Sequence, residues 1–300
     1  ALTPPMASLI TQVKSKLFIH STRKSLHALD GAYASLLHGR SLDFEDLRKY
    51  EYGDQVRDID WRATARLGTP LVKRSRATRM HTVLFVVDTG RSMSALAADE
   101  RSKKELAILA TGVLGVLTLR HGDDFSTVYG DSAKVRRLAP GRSEGALEHA
   151  LRTIDRAIDD SSAPSDRDAL LSFVTRTISR RMIVVVITDE APVTSETERM
   201  LRRLRVQHDV LWLTLRDADP VLDHTTGRIR SDADSRWQVP DFVQGDRAIV
   251  QELTAQHDAD AAHRDELLTR LEISHSSLDG QDDAVAHLLQ LLNRRSNARL

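Results

Sequence analysis

The chain has 300 residues, no cysteine, and 43 basic side chains against 43 acidic ones. The lack of cysteine excludes a disulfide framework and any thiolate zinc site, and the balanced charge gives no sign of binding to nucleic acid or to acidic membranes. With 41% hydrophobic residues, the composition is typical of a globular protein with a sizeable core. Residues 1–20 contain no apolar run long enough for a signal peptide or a membrane-spanning helix, so we expect a cytoplasmic protein.

The first eighty residues combine two patterns. Apolar residues recur at helical spacing between residues 8 and 37, which predicts one or two amphipathic helices. A densely charged segment follows and ends in "PLVKRSRATRM", whose alternation predicts a partly exposed strand. We therefore expect an extension built of helices and short strands before the main domain.

Strands and helices alternate from residue 81 onward. "HTVLFVVDTG", "RMIVVVITDEAP" and "DVLWLTLRD" are apolar runs typical of strands buried on both faces of a parallel sheet, while "DDFSTVYG" and "AKVRRLAP" predict a pair of short strands. Helices are predicted between them, and a long one near residues 246–271 follows a polar, irregular stretch at 217–245. The alternation predicts an α/β fold with right-handed crossovers. We divide the chain into an N-terminal extension, residues 1–79, and an α/β domain, residues 80–300.

Two of the buried strands end in a carboxylate, at Asp88 and at Asp189. In an open α/β sheet, ligands bind beyond the carboxyl ends of the strands, and the loop after the first strand adds the hydroxyls of Ser92 and Ser94. Carboxylate and hydroxyl oxygens without Cys or His are hard ligands, suited to Mg²⁺, Mn²⁺ or Ca²⁺. The alternative is that the two aspartates only turn the chain and cap the helices that follow.

The loop "VVDTGRSMS" resembles the first loop of the metal-ion-dependent adhesion site in von Willebrand factor A-type domains, whose pattern is D-x-S-x-S. Asp88 and Ser92 match that pattern, and "VVITDEA" resembles the strand that supplies the last aspartate of the site, here Asp189. The threonine ligand of such domains lies on a loop before a helix, where "PGRSEGALEHAL" offers Ser143. The resemblance implies a von Willebrand factor A-like (Rossmann-like) parallel sheet flanked by helices, with a metal site at these four residues.

Gly90 departs from the family pattern, because it stands where the first serine of the loop should be. One hydroxyl ligand is therefore missing, and a water molecule or Ser94 would have to replace it. The resemblance thus implies weakly bound Mg²⁺, with Mn²⁺ or Ca²⁺ as alternatives. The alternative, that the loop keeps the shape found in the family but no longer binds an ion, stays open.

A second and longer resemblance covers residues 39–74, "GRSLDFEDLRKYEYGDQVRDIDWRATARLGTPLVKR". This segment is similar to the signature of the domain of unknown function 58 family, which precedes an A-type domain. The matching residues are Asp43, Phe44, Leu47, Arg48, Tyr50, Gly53, Asp54, Arg57, Ile59, Asp60, Trp61, Ala65 and Arg66. Together with the A-type core, the resemblance spans almost the whole chain. Many relatives add membrane helices before this region, and this chain resembles the branch without them.

Two interpretations of the charged segment stay open. In the first, a turn at residues 53–54 lets Ile59 and Trp61 point onto the A-type core, so that the segment is a collar fixing the extension to the domain. In the second, the segment is a docking face for a partner, formed around Arg57, Trp61 and Arg62. Both interpretations can hold together.

The family resemblance implies a binding module rather than an enzyme. Its members are commonly associated with MoxR-type AAA+ ATPases and are described as adaptors or co-chaperones. The expected partners are therefore such an ATPase and a client protein, in complexes that include membrane-associated ones. The expected binding face surrounds the metal site and adds Arg91, Ser94 and Glu190. The chain has no phosphate-binding glycine loop, so we do not expect it to be an ATPase itself.

Two other functions stay open. A structural assembly subunit with a degenerate metal site would bind its partner whether or not a chelator is present. A metal-dependent phosphoesterase is the other: two aspartates and Mg²⁺ are the minimum that such an enzyme needs, but the sequence offers no convincing catalytic base and no ligands for a second metal.

Overall fold

The computed structural model describes residues 8–20, 23–38, 47–51, 59–73, 81–219, 231–234, 238, 240 and 246–297. Its elements in chain order are α1 (Leu9–His20), α2 (Arg23–His38), β1 (Leu47–Lys49), α3 (Trp61–Leu67), β2 (Leu71–Lys73), β3 (Thr82–Asp88), α4 (Lys103–Arg120), β4 (Asp124–Gly130), β5 (Val135–Gly141), α5 (Glu144–Asp159), α6 (Arg167–Thr177), β6 (Ile183–Thr188), α7 (Ser195–Gln207), β7 (Asp209–Leu215), α8 (Arg247–Arg270), β8 (Ser274–Leu278) and α9 (Ala284–Asn297). A single 3-10 turn, Arg91–Ser94, follows β3.

Six strands form one sheet in the order β5-β4-β3-β6-β7-β8. Every neighbouring pair is parallel except β4 and β5, which are antiparallel. The loops that follow β3, β4, β6 and β7 therefore meet at one edge of the sheet, which we call the carboxyl edge. With helices on both faces and an extension before it, this sheet confirms the expected α/β fold with a mostly parallel sheet flanked by helices.

The central strand β3 is buried on both of its faces. Val83, Phe85 and Val87 belong to a core layer shared with α1, α2, α4, α5 and α9, whereas Leu84 and Val86 belong to a second layer shared with α6, α7 and α8. This division follows from the two-residue period of a strand, which turns successive side chains to opposite faces. It explains why the sequence of β3 is continuously apolar rather than alternating.

The first two helices of the extension are part of the first core layer. Their buried residues are Ile10, Val13 and Leu17 on α1 and Leu29, Ala32 and Tyr33 on α2. Helix α1 lies close to α4, since a Cβ on Gly112 would approach Val13 Cγ2 to 2.7 Å. Glu148 of α5 caps α1 by accepting hydrogen bonds from the N–H groups of Leu9 at 3.0 Å and Ile10 at 2.8 Å.

In the described residues between 47 and 73, β1 and β2 pair antiparallel in a two-stranded sheet, and α3 lies between them in sequence. Asp60 caps α3, because its Oδ1 accepts hydrogen bonds from the N–H groups of Arg62 at 2.9 Å and Ala63 at 3.0 Å. The next residue, Trp61, starts the helix and is 64% exposed. This corrects the first interpretation of the charged segment, in which Trp61 packs onto the core. Arg57 and the expected turn at 53–54 lie outside the described residues.

Two elements differ from the pattern-based expectations. Strand β8 was not predicted, since "SHSSL" is polar and carries no apolar run. The strand predicted in "PLVKRSRATRM" is present over Leu71–Lys73, and the remainder of that segment lies outside the described residues. Among the helices that the structure describes, none combines the length and the apolar character needed to cross a membrane.

Candidate functional site at the carboxyl edge of the sheet

Asp88, the last residue of β3, is fully buried at the carboxyl edge. Its Oδ1 accepts a hydrogen bond from the N–H of Gly90 at 2.8 Å. Its Oδ2 is buried and accepts no hydrogen bond from the described part of the chain. Burial, together with the negative charge of Asp189, raises the pKa of Asp88 to about 7, although the N–H of Gly90 and the hydroxyl of Ser165 act to lower it.

Ser92 connects the two strand ends. It lies in the 3-10 turn after β3, and its hydroxyl donates to Asp189 Oδ2 at 2.5 Å. The same Oγ lies 2.6 Å from the Oγ of Ser165. Asp189 directly follows β6 and is 5% exposed, and its Oδ1 accepts the N–H of Ala191 at 3.2 Å. Asp88, Ser92, Ser165 and Asp189 thus converge at one place, which we call the edge site.

Ser165 occupies the region that a side chain at Gly90 would need. A Cβ on Gly90 would lie 2.3 Å from the Cα and 2.4 Å from the N of Ser165. The hydroxyl missing from the loop after β3 is therefore supplied by a different loop. Ser94 does not replace it, because its exposed hydroxyl donates to the backbone carbonyl of Arg91 at 2.7 Å.

Ser143 does not join the edge site, which corrects the expected ligand set. Its hydroxyl caps α5 by accepting the N–H of Ala146 at 3.2 Å. Because β5 runs antiparallel, its last residue, Gly141, pairs with Phe125 near the start of β4, so Ser143 lies at the opposite edge of the sheet. Helix α5 then returns the chain to the carboxyl edge, where Ser165 lies.

Ser165 was not among the site residues expected from the sequence, and it directly precedes Asp166, which caps α6. The predicted pair of strands, β4 and β5, could have indicated this position. Because the pair reverses the chain, the loop after β5 lies at the edge opposite the carboxyl edge, and only the loop after α5 reaches the carboxyl edge.

A buried arginine provides positive charge beside the edge site. Arg167 Nη1 and Nη2 donate to the carbonyl oxygens of Ala191 and Pro192, each at 2.8 Å, and the guanidinium lies over the ring of Trp212, 5.7 Å from its centroid. Burial lowers the pKa of Arg167, while the charges of Asp189 and Asp88 act in the opposite direction. Arg167 therefore holds the loop after β6 and offsets part of the negative charge of the site.

Glu190, expected in the binding face, has partners within the chain. Its Oε2 accepts the N–H of Asp217 at 2.9 Å, and its Oε1 lies 3.5 Å from Arg216 Nε. The Asp217 carboxylate pairs with the fully buried Lys103. Burial raises the pKa of Asp217, although the charge of Lys103 opposes that shift. These contacts fix the loop after β7 next to the edge site.

Arg91, also expected in the binding face, binds two loops. Its Nη1 donates to the carbonyl of Ser162 at 2.8 Å, and its Nη2 donates to the carbonyl of Asp234 at 2.5 Å. The Asp234 side chain also contacts the site, because its Oδ1 accepts the N–H of Ser165 at 3.3 Å. Residues 231–234 therefore lie against the edge site.

The oxygen donors of the edge site fit a hard divalent cation, because two carboxylates and two hydroxyls lie close to one another. The donor set is small. Within the described ranges, no group of three or more His, Cys, Asp or Glu side chains is placed to hold a metal ion. An ion here would depend on the serine hydroxyls and on water or a partner for its remaining ligands.

Comparison with curated proteins finds relatives in mycobacteria. Uncharacterised proteins of Mycobacterium tuberculosis (strain H37Rv) and of Mycobacterium bovis are each 28% identical to this chain over 193 residues, a match that covers 63% of this chain. The chain spans 59% of the length of these curated relatives.

Comparison with solved structures finds low structural similarity. An aerotolerance-related membrane protein from Bacteroides fragilis has a TM-score of 0.44 and 15% identity, covering 71% of this chain and 99% of that one. A von Willebrand factor type A protein from Catenulispora acidiphila has a TM-score of 0.41 and 11% identity, covering 73% and 43%. Neither likeness bears on function at these values.

A family model described as "Protein of unknown function DUF58" matches residues 46–256. The match begins in the charged segment of the extension and runs through the α/β domain as far as α8. It therefore includes all four residues of the edge site. Because this span is more than half of the chain, the protein belongs to the domain of unknown function 58 family.

Proposed function

We propose that this protein is a non-enzymatic protein-binding adaptor, or co-chaperone, that works with a MoxR-type AAA+ ATPase and recognises an acidic group of its partner at the edge site with the help of a divalent cation. The observation that carries this proposal is the Asp88 carboxylate, which is fully buried and close enough to Asp189 that the negative charge of Asp189 raises its pKa. Burying two neighbouring carboxylates is costly unless positive charge compensates them.

Each residue of the edge site has a distinct part in this proposal. Asp88 and Asp189 would hold the cation through carboxylate oxygens, and Ser92 and Ser165 would hold it through hydroxyls. When bound, the cation would supply a positive charge able to accept a carboxylate from a partner. The N–H of Gly90 already fixes the orientation of Asp88 through its 2.8 Å hydrogen bond.

The exposed face of α3 supports a second contact area. Trp61 is 64% exposed and Arg62 is exposed beside it. Tryptophan and arginine are the residue types that most often dominate binding energy in protein interfaces, and an exposed tryptophan gives the folded chain no burial energy. The choice of a MoxR-type ATPase as partner comes from the family resemblance of the charged segment.

A binding assay with the purified MoxR-type ATPase of the same genome tests the proposal. The full chain, immobilised on a biosensor, is compared in Mg²⁺ and in EDTA with the variants Asp88→Asn and Trp61→Ala. We expect binding that requires Mg²⁺ and is weakened by each substitution, while thermal unfolding shows that Trp61→Ala is as stable as the wild type. Binding that neither variant alters would contradict the proposal.

A structural assembly subunit without a metal is the second candidate, and Arg167 favours it. This guanidinium already acts on both Asp88 and Asp189 as a resident positive charge. In that case partner binding would be the same in Mg²⁺ and in EDTA, and Trp61→Ala alone would weaken it.

A further inference from the structure

Residues 231–234 contribute an acidic residue to the mouth of the edge site. Two separate donors of the site hold Asp234: Arg91 Nη2 binds its backbone carbonyl at 2.5 Å, and the N–H of Ser165 binds its carboxylate Oδ1 at 3.3 Å. Asp234 is partly buried, unlike the exposed Asp232 two residues earlier. Within residues 231–234, Asp234 therefore contacts the site through both its backbone and its side chain.

The charge of Asp234 does not explain its position. Its carboxylate lies close enough to Asp88 and Asp189 that the negative charges act on one another, which is an unfavourable arrangement. Burial and the charge of Asp189 outweigh the opposing effects of the Ser165 N–H and of Arg91, so the pKa of Asp234 is raised. An acidic residue that stays among like charges, with one donor on its backbone carbonyl and another on its carboxylate, indicates that the donors form a position for such a residue.

We propose that Arg91 and Ser165 form a binding position for an Asp or Glu residue of a partner segment, Arg91 through the backbone carbonyl and Ser165 through the carboxylate, and that Asp234 occupies this position as an internal substitute until the partner displaces it. The inference rests on the proposed function, whose partner-binding face it makes specific. It also assigns Arg91 a role in recognition through its side chain. The partner segment would present a backbone carbonyl to Arg91 and a carboxylate to the Ser165 N–H, as residues 231–234 do.

An internal occupant lowers the apparent affinity for an external one. The tethered Asp234 is present at a high effective concentration, and a competitor binds only the fraction of molecules in which the position is free. Removing the internal residue should therefore increase binding of an external acidic peptide.

The test uses the full chain and the capped tetrapeptide SDAD, with SDAN as the matched peptide. Binding is followed by NMR at the amide cross-peak of Ser165. In Asp234→Lys we expect the apparent Kd for SDAD to fall about tenfold or more relative to the wild type, with little change in Asp232→Lys, because only Asp234 occupies the donors. SDAN should bind more weakly than SDAD, and the double variant Arg91→Met/Asp234→Lys should lose the gain. Equal affinities in Asp234→Lys and Asp232→Lys, or no detectable binding to Asp234→Lys, would overturn the inference.

Repeating the titrations in Mg²⁺ and in EDTA separates this inference from the proposed function. Higher affinity of Asp234→Lys for SDAD under both conditions supports the binding position and counts against a required cation. Higher affinity in Mg²⁺ alone supports both the binding position and the cation. Unchanged affinity under both conditions overturns the proposal that Asp234 is an internal occupant, even when the wild type binds the ATPase.

Discussion

The backbone of Ser165 fills the space beside Gly90, where a Cβ would lie 2.3 Å from the Ser165 Cα. The Ser165 hydroxyl in turn lies 2.6 Å from that of Ser92. The glycine in the loop after β3 and the serine before α6 therefore belong to one arrangement, in which a hydroxyl comes from a neighbouring loop. The edge site differs from the D-x-S-x-S pattern in the origin of this oxygen, while two carboxylates and two hydroxyls are still present.

Replacing Gly90 by the serine of the D-x-S-x-S pattern should destabilise the protein. Gly90→Ser places a side chain against backbone atoms that cannot move aside like a flexible side chain, so we expect the free energy of unfolding to fall by about 1–3 kcal/mol. Urea denaturation measures this change. Gly145→Ala is the control, because a Cβ on Gly145 would lie no closer than 4.0 Å to a side chain in the described part of the chain, where it meets Ser143 Oγ. A Gly90→Ser variant of wild-type stability with stronger Mn²⁺ binding would show that the serine fits.

Ser165 and Ser143 should have separate effects. Ser165→Ala removes a donor from the edge site, and we expect Mn²⁺ affinity to fall about tenfold, or roughly 1.4 kcal/mol. Ser143→Ala removes only the cap of α5 and should lower the free energy of unfolding by about 1 kcal/mol with no change in Mn²⁺ affinity. Calorimetric titration and urea denaturation of both variants make the comparison. Weaker Mn²⁺ binding by Ser143→Ala, with unchanged binding by Ser165→Ala, would show that Ser143 and not Ser165 is a ligand.

Arg167 should matter for stability more than an ordinary surface charge. Arg167→Met removes two hydrogen bonds to the loop after β6 and leaves Asp88 and Asp189 without their buried counter-charge, so we expect a loss of about 3 kcal/mol in the free energy of unfolding. The control Arg176→Met changes an exposed arginine on the same helix and should stay within about 0.5 kcal/mol. Equal stability of the two variants would contradict the role assigned to Arg167.

Glu148 should make the docking of α1 depend on pH. Burial acts to raise the pKa of Glu148, but the N–H groups of Ile10 and Leu9 outweigh it, so that the pKa lies below its ordinary value. Because the folded pKa is lowered, the stabilisation is fully present above the unfolded value and is lost as the pH falls through the folded one.

At pH 7 we therefore expect Glu148→Gln to lower the free energy of unfolding by about 2 kcal/mol, and the difference from the wild type to shrink at pH 3. Urea denaturation at both values tests this. Glu144→Gln, whose partner is Lys14 on the exposed surface, should change stability by less than about 0.5 kcal/mol at either pH. A pH-independent effect of Glu148→Gln would assign its role to packing alone.

The apolar pattern of the chain predicted most of the fold. Strands β3, β6 and β7 are continuous apolar runs because both of their faces are buried, and their parallel pairing brings Asp88 and Asp189 to the same edge. Strand β8 could not be found in this way. Its residues Ser274–Leu278 are mostly polar and only partly buried, so its place in the sheet comes from backbone pairing with β7.

The side chains of the site were less accessible to sequence reasoning. Ser143 and Ser165 both precede a helix, and only the direction of β5 distinguishes the edges at which they lie. Of the two interpretations of the charged segment, the one that placed Trp61 against the core is wrong, because the cap at Asp60 starts a helix there and Trp61 remains exposed. The contacts of Arg91 and Asp234 join residues far apart in the chain and leave no local pattern.

The most direct test of the central claim is a calorimetric titration of the chelator-stripped chain with Mn²⁺, beside the variants Asp88→Asn and Asp124→Asn. Asp88→Asn retains an oxygen for the Gly90 hydrogen bond but loses the buried charge, whereas Asp124 lies at the start of β4, at the opposite edge, and pairs with Arg142. The account predicts saturable binding of one ion per chain that Asp88→Asn abolishes and Asp124→Asn retains. No binding by the wild type, or equal binding by Asp88→Asn, would contradict a cation at the edge site.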